Sequence, residues 1–218
     1  EEIHLNKFLA EKGIDSIETD LGEYIQQLDN EPPYHIVTPA MHKSKEDVAK
    51  LFAEKLGTDP KLTPEQLTLV AREVLRKKYV EAEVGITGAN FIIADIGGIA
   101  ITENEGNARL SCSMPSTHIV VAGIEKVIPA MNDLALFWPL LATYGTGQKI
   151  TVYSTIVTGP KQEKETDGPE EMYVISHHVH HSRSDEPGDP YNARAGFLYC
   201  FLAEVNHQSI NKDLSEKD

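Results

Sequence analysis

The chain has 218 residues, of which 40% are apolar and 25% are charged, so it is long and apolar enough for one substantial core. Its net charge of −14 argues against a nucleic-acid-binding surface, which needs clustered Lys and Arg side chains. We attribute this charge mainly to solubility. The longest apolar run, residues 131–142, is too short for a membrane span and contains Pro139.

The chain has two cysteines, Cys112 and Cys200, which are far apart in the sequence. They provide neither a disulfide framework nor an iron–sulfur motif, which needs about four closely spaced cysteines. We therefore expect no cluster in this segment and a reducing, cytoplasmic location. The chain begins at Glu1 without a basic and then apolar leader, and we expect it to be a fragment or to lack disordered residues.

Helical and extended patterns alternate in the first 81 residues. Leu5 and Leu9 predict a first helix, and residues 16–20, 21–28 and 34–37 predict a strand, a short helix and a buried strand. Ser44 followed by Asp47 predicts a capped helix start, as does Thr63-Pro64 with a Gln three residues after Thr63.

The pattern changes to short β-branched runs from residue 84 onward. Strands are predicted at 84–87, 91–94, 99–102, 108–113, 118–123, 149–157 and 172–176, with a helix at about 130–143. These elements predict one α/β domain with a mixed sheet over residues 1–175, followed by a tail, 176–218, to which we assign no domain. The residues predicted to be buried are Phe91, Ile93, Ile99, Ile101, Val120 and Val121.

Polar residues and glycines surround these strands between residues 85 and 109. Gly85 and Gly88 would allow a ligand to approach the backbone, and Thr87 and Asn90 would donate hydrogen bonds to it. The alternative is that the glycines only satisfy turns and close strand packing. Asp95, before the turn at 96–98, is a candidate general base or equally a turn-forming Asp.

Glu105, Asn107 and Arg109 alternate along the sequence, and an extended chain would place all three on one side. A guanidinium beside an amide and a carboxylate suits a small carboxylate or phosphate ligand. The alternative is an ion pair between Arg109 and Glu105 on a hairpin rim. Neither a dinucleotide-binding Gly pattern nor a Walker loop is present in this segment.

Other candidates are weaker. Lys126 would offer a positive charge near a strand, and Thr158-Gly159 would present a loop to a ligand. The segment beginning at His42 is a possible anion site or simply a capped helix start. His118 is expected to be a hydrogen-bonded core or rim histidine. The tract His177-His178-x-His180-His181 can capture zinc or nickel adventitiously, but its loop surroundings argue against a physiological metal.

Several of these motifs together carry a family resemblance. They are GITGANFIIADIGG from residue 85, NEGNAR ending at Arg109, Pro115-x-x-His118, GIEKVIP at 123–129 and TGP at 158–160. In this order and spacing they resemble the LUD (lactate-utilisation) domain family, most closely its LutB-like branch. The resemblance covers residues 1–175, and there the family shares the Asn-Glu-Gly-Asn-x-Arg segment.

The resemblance implies a three-layer α/β/α fold with a mixed sheet, similar to the NagB/RpiA/CoA-transferase class. It implies a subunit of an iron–sulfur complex that oxidises L-lactate to pyruvate, with LutA-like and LutC-like partner subunits. The [4Fe–4S] clusters would lie elsewhere in the full-length protein or its partners. This segment would then bind substrate, dock subunits, or both.

We further expect one cleft at one edge of the sheet. Its candidate catalytic residues are Asp95 and Glu105. Its candidate ligand-binding residues are Thr87, Gly88, Asn90, Asn107, Arg109, Lys126, Thr158 and Gly159. Two other functions stay open at this point. One is a stand-alone NagB/RpiA/CoA-transferase-like enzyme acting on a sugar phosphate or acyl-CoA, and the other is a non-catalytic assembly module.

Overall fold

The computed structural model describes residues 5–34, 38–177 and 201–204, without the side chains of 177 and 201–204. The chain divides into two compact units, residues 1–81 and 82–218, a boundary that the sequence analysis did not mark. No helix in the described ranges has the length and apolar character needed to cross a membrane.

The first unit is helical. Its helices are α1 (Leu5–Glu11), α2 (Leu21–Asp29), α3 (Lys45–Leu56) and α4 (Pro64–Glu81). The core of this unit comes from one face each of α2, α3 and α4, with Phe52 at its centre and fully buried.

The predicted helix starts are confirmed by their caps. The Ser44 hydroxyl accepts a hydrogen bond from the Asp47 amide at 3.2 Å, and the Asp47 carboxylate accepts one from the Ser44 amide at 3.0 Å. At α4 the Gln66 side chain accepts from the Thr63 amide at 2.9 Å. Each pair satisfies amides that the first helical turn leaves without partners.

The strand predicted at 16–20 is wrong, since this segment is irregular. The Gln27 side chain forms hydrogen bonds with the backbone of this segment, as a neighbouring strand would. Its amide donates to the Ser16 carbonyl at 2.8 Å and accepts from the Glu18 amide at 3.0 Å. Asp20 then caps α2 through its side chain. The strand predicted at 34–37 falls largely outside the described residues.

The second unit contains two four-stranded mixed sheets where the sequence predicted one. Its strands are β1 (Val84–Gly88), β2 (Phe91–Ile93), β3 (Gly98–Glu103), β4 (Thr117–Gly123), β5 (Val127–Ile128), β6 (Tyr153–Val157), β7 (Glu171–His177) and β8 (Phe201–Glu204). The first sheet has the order β1-β4-β7-β8, in which β1, β4 and β7 are parallel. The second has the order β5-β2-β3-β6, and in it β2–β3 and β3–β6 are antiparallel.

Two helices complete this unit, α5 (Asn107–Ser113) and α6 (Leu134–Thr146). Val120 and Val174 of the first sheet pack with Ile99 and Ile101 of the second, and Cys112 of α5 joins the same core. On the second sheet, Leu134 of α6 packs against Ile93. The α/β class with mixed sheets is thus confirmed, and it is consistent with a three-layer arrangement.

The predicted core is largely confirmed. Three predicted elements differ from the structure, one in type and two in where they begin. Ile93, Ile99, Ile101 and Val120 are buried, whereas Phe91 and Val121 are half-buried. The predicted strand 108–113 is helix α5. Strand β6 begins only at residue 153, and a 3₁₀ turn at 131–133 precedes α6.

His118 of β4 is completely buried and makes its hydrogen bonds inside the core. Its Nε2 lies 2.8 Å from the Thr87 hydroxyl of β1 and 3.5 Å from the Cys112 sulfur of α5. Burial lowers the pKa of His118 from 6.5 to about 4, because the charged imidazolium would lose its hydration. The expectation of a core histidine is confirmed.

Gly85 of β1 should tolerate no side chain. A Cβ atom at this position would lie 2.0 Å from the backbone oxygen of Ser111, and backbone cannot move aside as a flexible side chain can. We expect Gly85→Ala to lower the free energy of unfolding by about 3 kcal/mol or more. The control is Gly145→Ala in α6, where nothing lies within 4 Å and Ala should be neutral or slightly stabilising. Equal urea unfolding curves for both variants would contradict this.

His118 should make the folded state sensitive to mild acid. Its pKa is about 4 when folded and about 6.5 when unfolded, so between these values the unfolded chain binds more protons. Stability is therefore full above about pH 6.5 and falls as the pH is lowered toward 4, by about 3 kcal/mol in total. His118→Gln should flatten this part of the curve in urea titrations. A curve of unchanged slope in this variant would contradict the role of His118.

Candidate functional site

The strand register separates the predicted site residues into groups. β3 is antiparallel to both β2 and β6, with Ile93 opposite Gly98 and Glu103 opposite Tyr153. The sheet therefore has two ends, which we call the Glu103 end and the Asp95 end. Six residues of β3 separate them, or about 17 Å.

The Glu103 end collects most of the predicted residues. Asn90 immediately precedes β2, and Lys126 precedes β5, whose Val127 lies opposite Ile92 in a parallel pair. The segment after β3 supplies the remaining members, and Gly88 ends β1 two residues before Asn90. The predicted residues at this end are Gly88, Asn90, Glu105, Asn107, Arg109 and Lys126.

Asp95, Thr158 and Gly159 lie at the opposite end. Asp95 follows β2, and Thr158 follows β6 and approaches Gly98 at the start of β3. The prediction that Asn90, Asp95, Glu105, Asn107, Arg109 and Thr158 converge on one cleft is therefore wrong. The carboxyl ends of neighbouring strands lie at the same edge only when the strands run in the same direction, and here β3 runs against both neighbours.

Arg109 is held in place through the backbone of α5. The Glu103 carboxylate accepts hydrogen bonds from the amides of Ala108 and Arg109, each at 2.8 Å. The Arg109 guanidinium carbon lies 6.0 Å from the centre of the Tyr153 ring, at the outer limit of a cation–π contact. The side chain is exposed and projects from a helix whose start is fixed.

Because α5 is a helix, Glu105, Asn107 and Arg109 do not alternate on one side of a strand as predicted. Gly106 has a φ of 82°, which turns the chain between β3 and α5. Glu105 lies exposed in this turn, Asn107 begins α5, and Arg109 lies in its first turn. Residues two apart on a helix point in directions well separated from one another.

The polar side chains nearby mostly support the backbone. The Asn90 side chain accepts a hydrogen bond from the Thr102 amide at 2.7 Å, and the Asn104 side chain accepts one from the Val152 amide at 3.1 Å. Thr87 is 9% exposed and its hydroxyl contacts His118. At Gly88 an added Cβ would make only an ordinary contact, 3.8 Å from the Val121 oxygen.

At the other end of the sheet, Asp95 supports a turn. Both of its carboxylate oxygens lie 3.1 Å from the Met131 amide, at the start of the 3₁₀ turn before α6. Its backbone amide donates to the Pro129 carbonyl at 3.2 Å. These contacts match the turn-forming alternative for Asp95.

A separate polar cavity of about 290 Å³ lies in the helical unit, beside the candidate anion site at His42. Lys43 pairs there with Asp29 and with Glu31, the latter at 2.9 Å. Hydrogen bonding to Asp29, then to Glu31, raises the pKa of Lys43. Ser44 is used by the cap of α3, so the capped helix start describes this segment.

The described residues contain no group of three or more His, Cys, Asp or Glu side chains placed to hold a metal ion. The histidine tract from 177 onward lies outside the described side chains. Burial raises the pKa of Cys112 to about 12, so its sulfur is a protonated thiol and a poor metal ligand.

The Glu103 end carries charges of both signs. Arg109 is an exposed cation there, near the carboxylates of Glu103 and Glu105. Lys126 is exposed beside Glu125, one residue before β5. Sequence reasoning missed Glu103, which fixes the backbone of Arg109, and Tyr153, which lies beside its guanidinium. The available signal was an acidic residue at a strand end, four to six residues before a segment that can form a helix.

Glu103 should stabilise α5 measurably. Glu103→Gln keeps the size of the side chain but removes its charge and one acceptor, so we expect the free energy of unfolding to fall by about 1–2 kcal/mol. Glu73→Gln on the exposed side of α4 is the matched control and should change stability by less than about 0.5 kcal/mol. Urea unfolding monitored by circular dichroism measures both, and an equally small change at Glu103 would contradict this role.

Comparison with known proteins agrees with the motifs. The model of the LUD domain family matches residues 3–176. Curated relatives named Lactate utilization protein B are 44% identical in Shouchella clausii, 43% in Bacillus subtilis and 48% in Bacillus pumilus. Each match covers 92% of this chain, so similarity continues past Ile175, where the sequence analysis expected it to stop.

The chain spans about two fifths of the length of these relatives, 42% in each case. Among solved structures, a DUF162 family protein from Deinococcus radiodurans is 18% identical with a TM-score of 0.34, and the match covers 46% of this chain and 56% of that one. That score is too low to support a shared fold. With most of its length matched by the family model and by these relatives, the chain belongs to the LUD domain family.

Proposed function

We propose that this chain is the LUD domain of a lactate-utilisation protein of the LutB type, and that it binds a small carboxylate at the Glu103 end. The main support for a role in lactate utilisation is the sequence identity of 42–48% to relatives named Lactate utilization protein B. Because the chain spans 42% of those relatives, the oxidation of lactate is proposed for the whole protein and its partners.

The arrangement around Arg109 supports the carboxylate-binding role. A guanidinium forms two parallel hydrogen bonds with a carboxylate, and this is strongest when the guanidinium is already positioned. The amides of Ala108 and Arg109 donate hydrogen bonds to the Glu103 carboxylate and so fix the turn that carries Arg109, and Tyr153 lies beside the guanidinium. Lactate and pyruvate each carry one carboxylate, which matches one such positively charged group.

Oxidation of lactate to pyruvate releases two electrons and two protons, which need an acceptor. The residues of this chain do not fit a [4Fe–4S] cluster, since one of its two cysteines is Cys112, buried and protonated. We therefore assign clusters to other parts of the full-length protein or to LutA-like and LutC-like partners. A reducing cytoplasm is the proposed compartment.

The two candidate catalytic carboxylates now differ in position. Glu105 lies at the same end of the sheet as Arg109, whereas Asp95 lies about 17 Å away at the other end. If a proton is taken from a substrate bound at Arg109, Glu105 is the better placed of the two. The alternative function of this surface is to dock a partner subunit. Such docking would use the same charged side chains, Arg109 and Glu105.

Arg109→Ala should weaken carboxylate binding about 10- to 100-fold, because a hydrogen bond to a charged group contributes about 1.5–3 kcal/mol. We would titrate the full-length protein, purified anaerobically, with L-lactate and with pyruvate in a calorimeter. Lactate-dependent reduction of an artificial acceptor would be measured in parallel.

Arg72→Ala on the exposed side of α4 is the matched control, since it removes the same charge from the helical unit. It should leave both measurements unchanged. If Arg109→Ala folds and binds lactate and pyruvate normally, the proposed site is wrong. If binding is lost but reduction of the acceptor is unchanged, the Glu103 end is not where lactate is oxidised.

A further inference from the structure

Helix α6 is unusual because it is apolar on two sides. Its inner side packs on the second sheet through Leu134, Phe137 and Trp138. Its outer side faces solvent, and we call its exposed residues the α6 outer face. They are Ala135, Leu136, Pro139, Leu140, Thr143, Tyr144, Gly145 and Thr146.

The exposure of this face is large. Leu136 is 62% exposed, Leu140 is 44% exposed and Tyr144 is 85% exposed, and they follow one another at intervals of four, along one ridge of the helix. Ile150 and Val152, just beyond the helix, are also exposed. A helix that is apolar all round is normally covered on all sides, and a contiguous exposed apolar patch marks an interaction surface.

The distribution of charged residues indicates which kind of partner can cover the α6 outer face. Residues 127–160 contain only two charged residues, Asp133 and Lys149, where the average composition of the chain would give about eight. Asp133 directly precedes α6, and Lys149 lies three residues after its end. The face itself is uncharged, while one charge of each sign flanks it.

We propose that the α6 outer face is the surface through which two copies of this chain associate, with the two helices antiparallel. In this arrangement the Asp133 end of one helix lies beside the Lys149 end of the other, so both flanking charges meet an opposite charge. Antiparallel pairing also brings the positive end of each helix dipole to the negative end of its neighbour. The proposal is independent of the proposed function.

A second copy fits this face better than a membrane does. Helices that lie on membranes carry several Lys or Arg residues beside their apolar face, and here Lys149 is the single basic residue between 127 and 160. The chain as a whole carries a net charge of −14, which opposes binding to anionic lipid. The same charge makes two copies repel each other, so they can approach closely only through a surface without like charges.

The interface expected from one helix pair is small. A helix of 13 residues is about 20 Å long, and paired helices lie about 8–10 Å apart. Such a contact buries less than the roughly 1,200 Å² of a standard stable interface, so we expect a reversible dimer with a micromolar dissociation constant.

Sedimentation velocity of the 218-residue chain at about 1–300 µM would measure dimer formation. This concentration range includes the dissociation constant expected for an interface of this size. The unmodified chain should pass from monomer to dimer over this range. Leu136→Glu with Leu140→Glu should raise the dissociation constant at least about 30-fold, because both changes bury charge at the centre of the contact. Leu69→Glu with Val80→Glu, two exposed apolar positions on α4, should leave it unchanged.

Tyr144→Glu is a second variant for the case in which the double variant fails to fold, because Tyr144 is nearly fully exposed and contributes little to the core. It should weaken dimerisation as well. A chain that stays monomeric at every concentration overturns the proposal, and so does a dimer that the α6 substitutions do not weaken.

Cysteine cross-linking tests the antiparallel orientation. In a Cys200→Ser background, Leu140→Cys lies near the middle of the face and should form a disulfide-linked dimer. Leu136→Cys and Tyr144→Cys should each link poorly alone but should link to each other when mixed. Efficient linking of each with itself would instead mean parallel pairing, and would overturn the arrangement.

The full-length protein distinguishes a second copy from another part of the same chain. If it dimerises and α6 substitutions weaken the dimer, the proposal stands. If it remains monomeric while hydrogen exchange at α6 is protected, another segment of the chain covers this face and the proposal is wrong.

Discussion

The hydrogen bonds between the Glu103 carboxylate and the start of α5 organise the segment that characterises this domain. A seven-residue helix is too short to be stable by itself, and Gly106, which precedes it, provides no side-chain cap. Glu103 supplies acceptors for two amides that would otherwise have none within the helix. Once α5 is fixed, Ala108 and Cys112 point into the core between the two sheets, and Arg109 points outward. Packing and the candidate anion site thus depend on the same carboxylate.

The antiparallel direction of β3 explains why a convincing set of polar residues divides into two groups. Sequence reasoning identifies the ends of strands but not the direction in which neighbouring strands run. In a parallel sheet, Asp95 after β2 and the segment after β3 would meet at one edge. Here the tight turn at 94–97 reverses the chain, so the segment that follows β2 and the segment that follows β3 lie at opposite ends. The turn glycines Gly97 and Gly98 are visible in the sequence, and the chain reversal that they indicate separates Asp95 from the segment after β3.

Local signals predicted local structure well, and the failures came from contacts between distant residues. The caps at Ser44 and Thr63 follow from side chains three residues apart, and the structure has both helices there. The strand predicted at 108–113 became a helix because its first amides bond to Glu103, outside the window in which a periodic pattern is judged. Likewise, the division into two sheets depends on which strands pair, and an apolar run does not specify its partner. The pattern predicted the α/β class with a mixed sheet, and the family resemblance supplied the three-layer arrangement that the pattern left open.

The environment of Cys112 has a consequence for the chemistry of the chain under oxidative conditions. Peroxides and alkylating reagents react with the thiolate, and burial raises the pKa of Cys112 to about 12, so the side chain is almost entirely the protonated thiol at pH 7. The core of this domain thus carries a sulfur that reacts little as long as the fold is intact. Local opening that brought Cys112 into water would return its reactivity to that of an ordinary thiol. Modification of this side chain would therefore record the moments at which α5 and β4 separate.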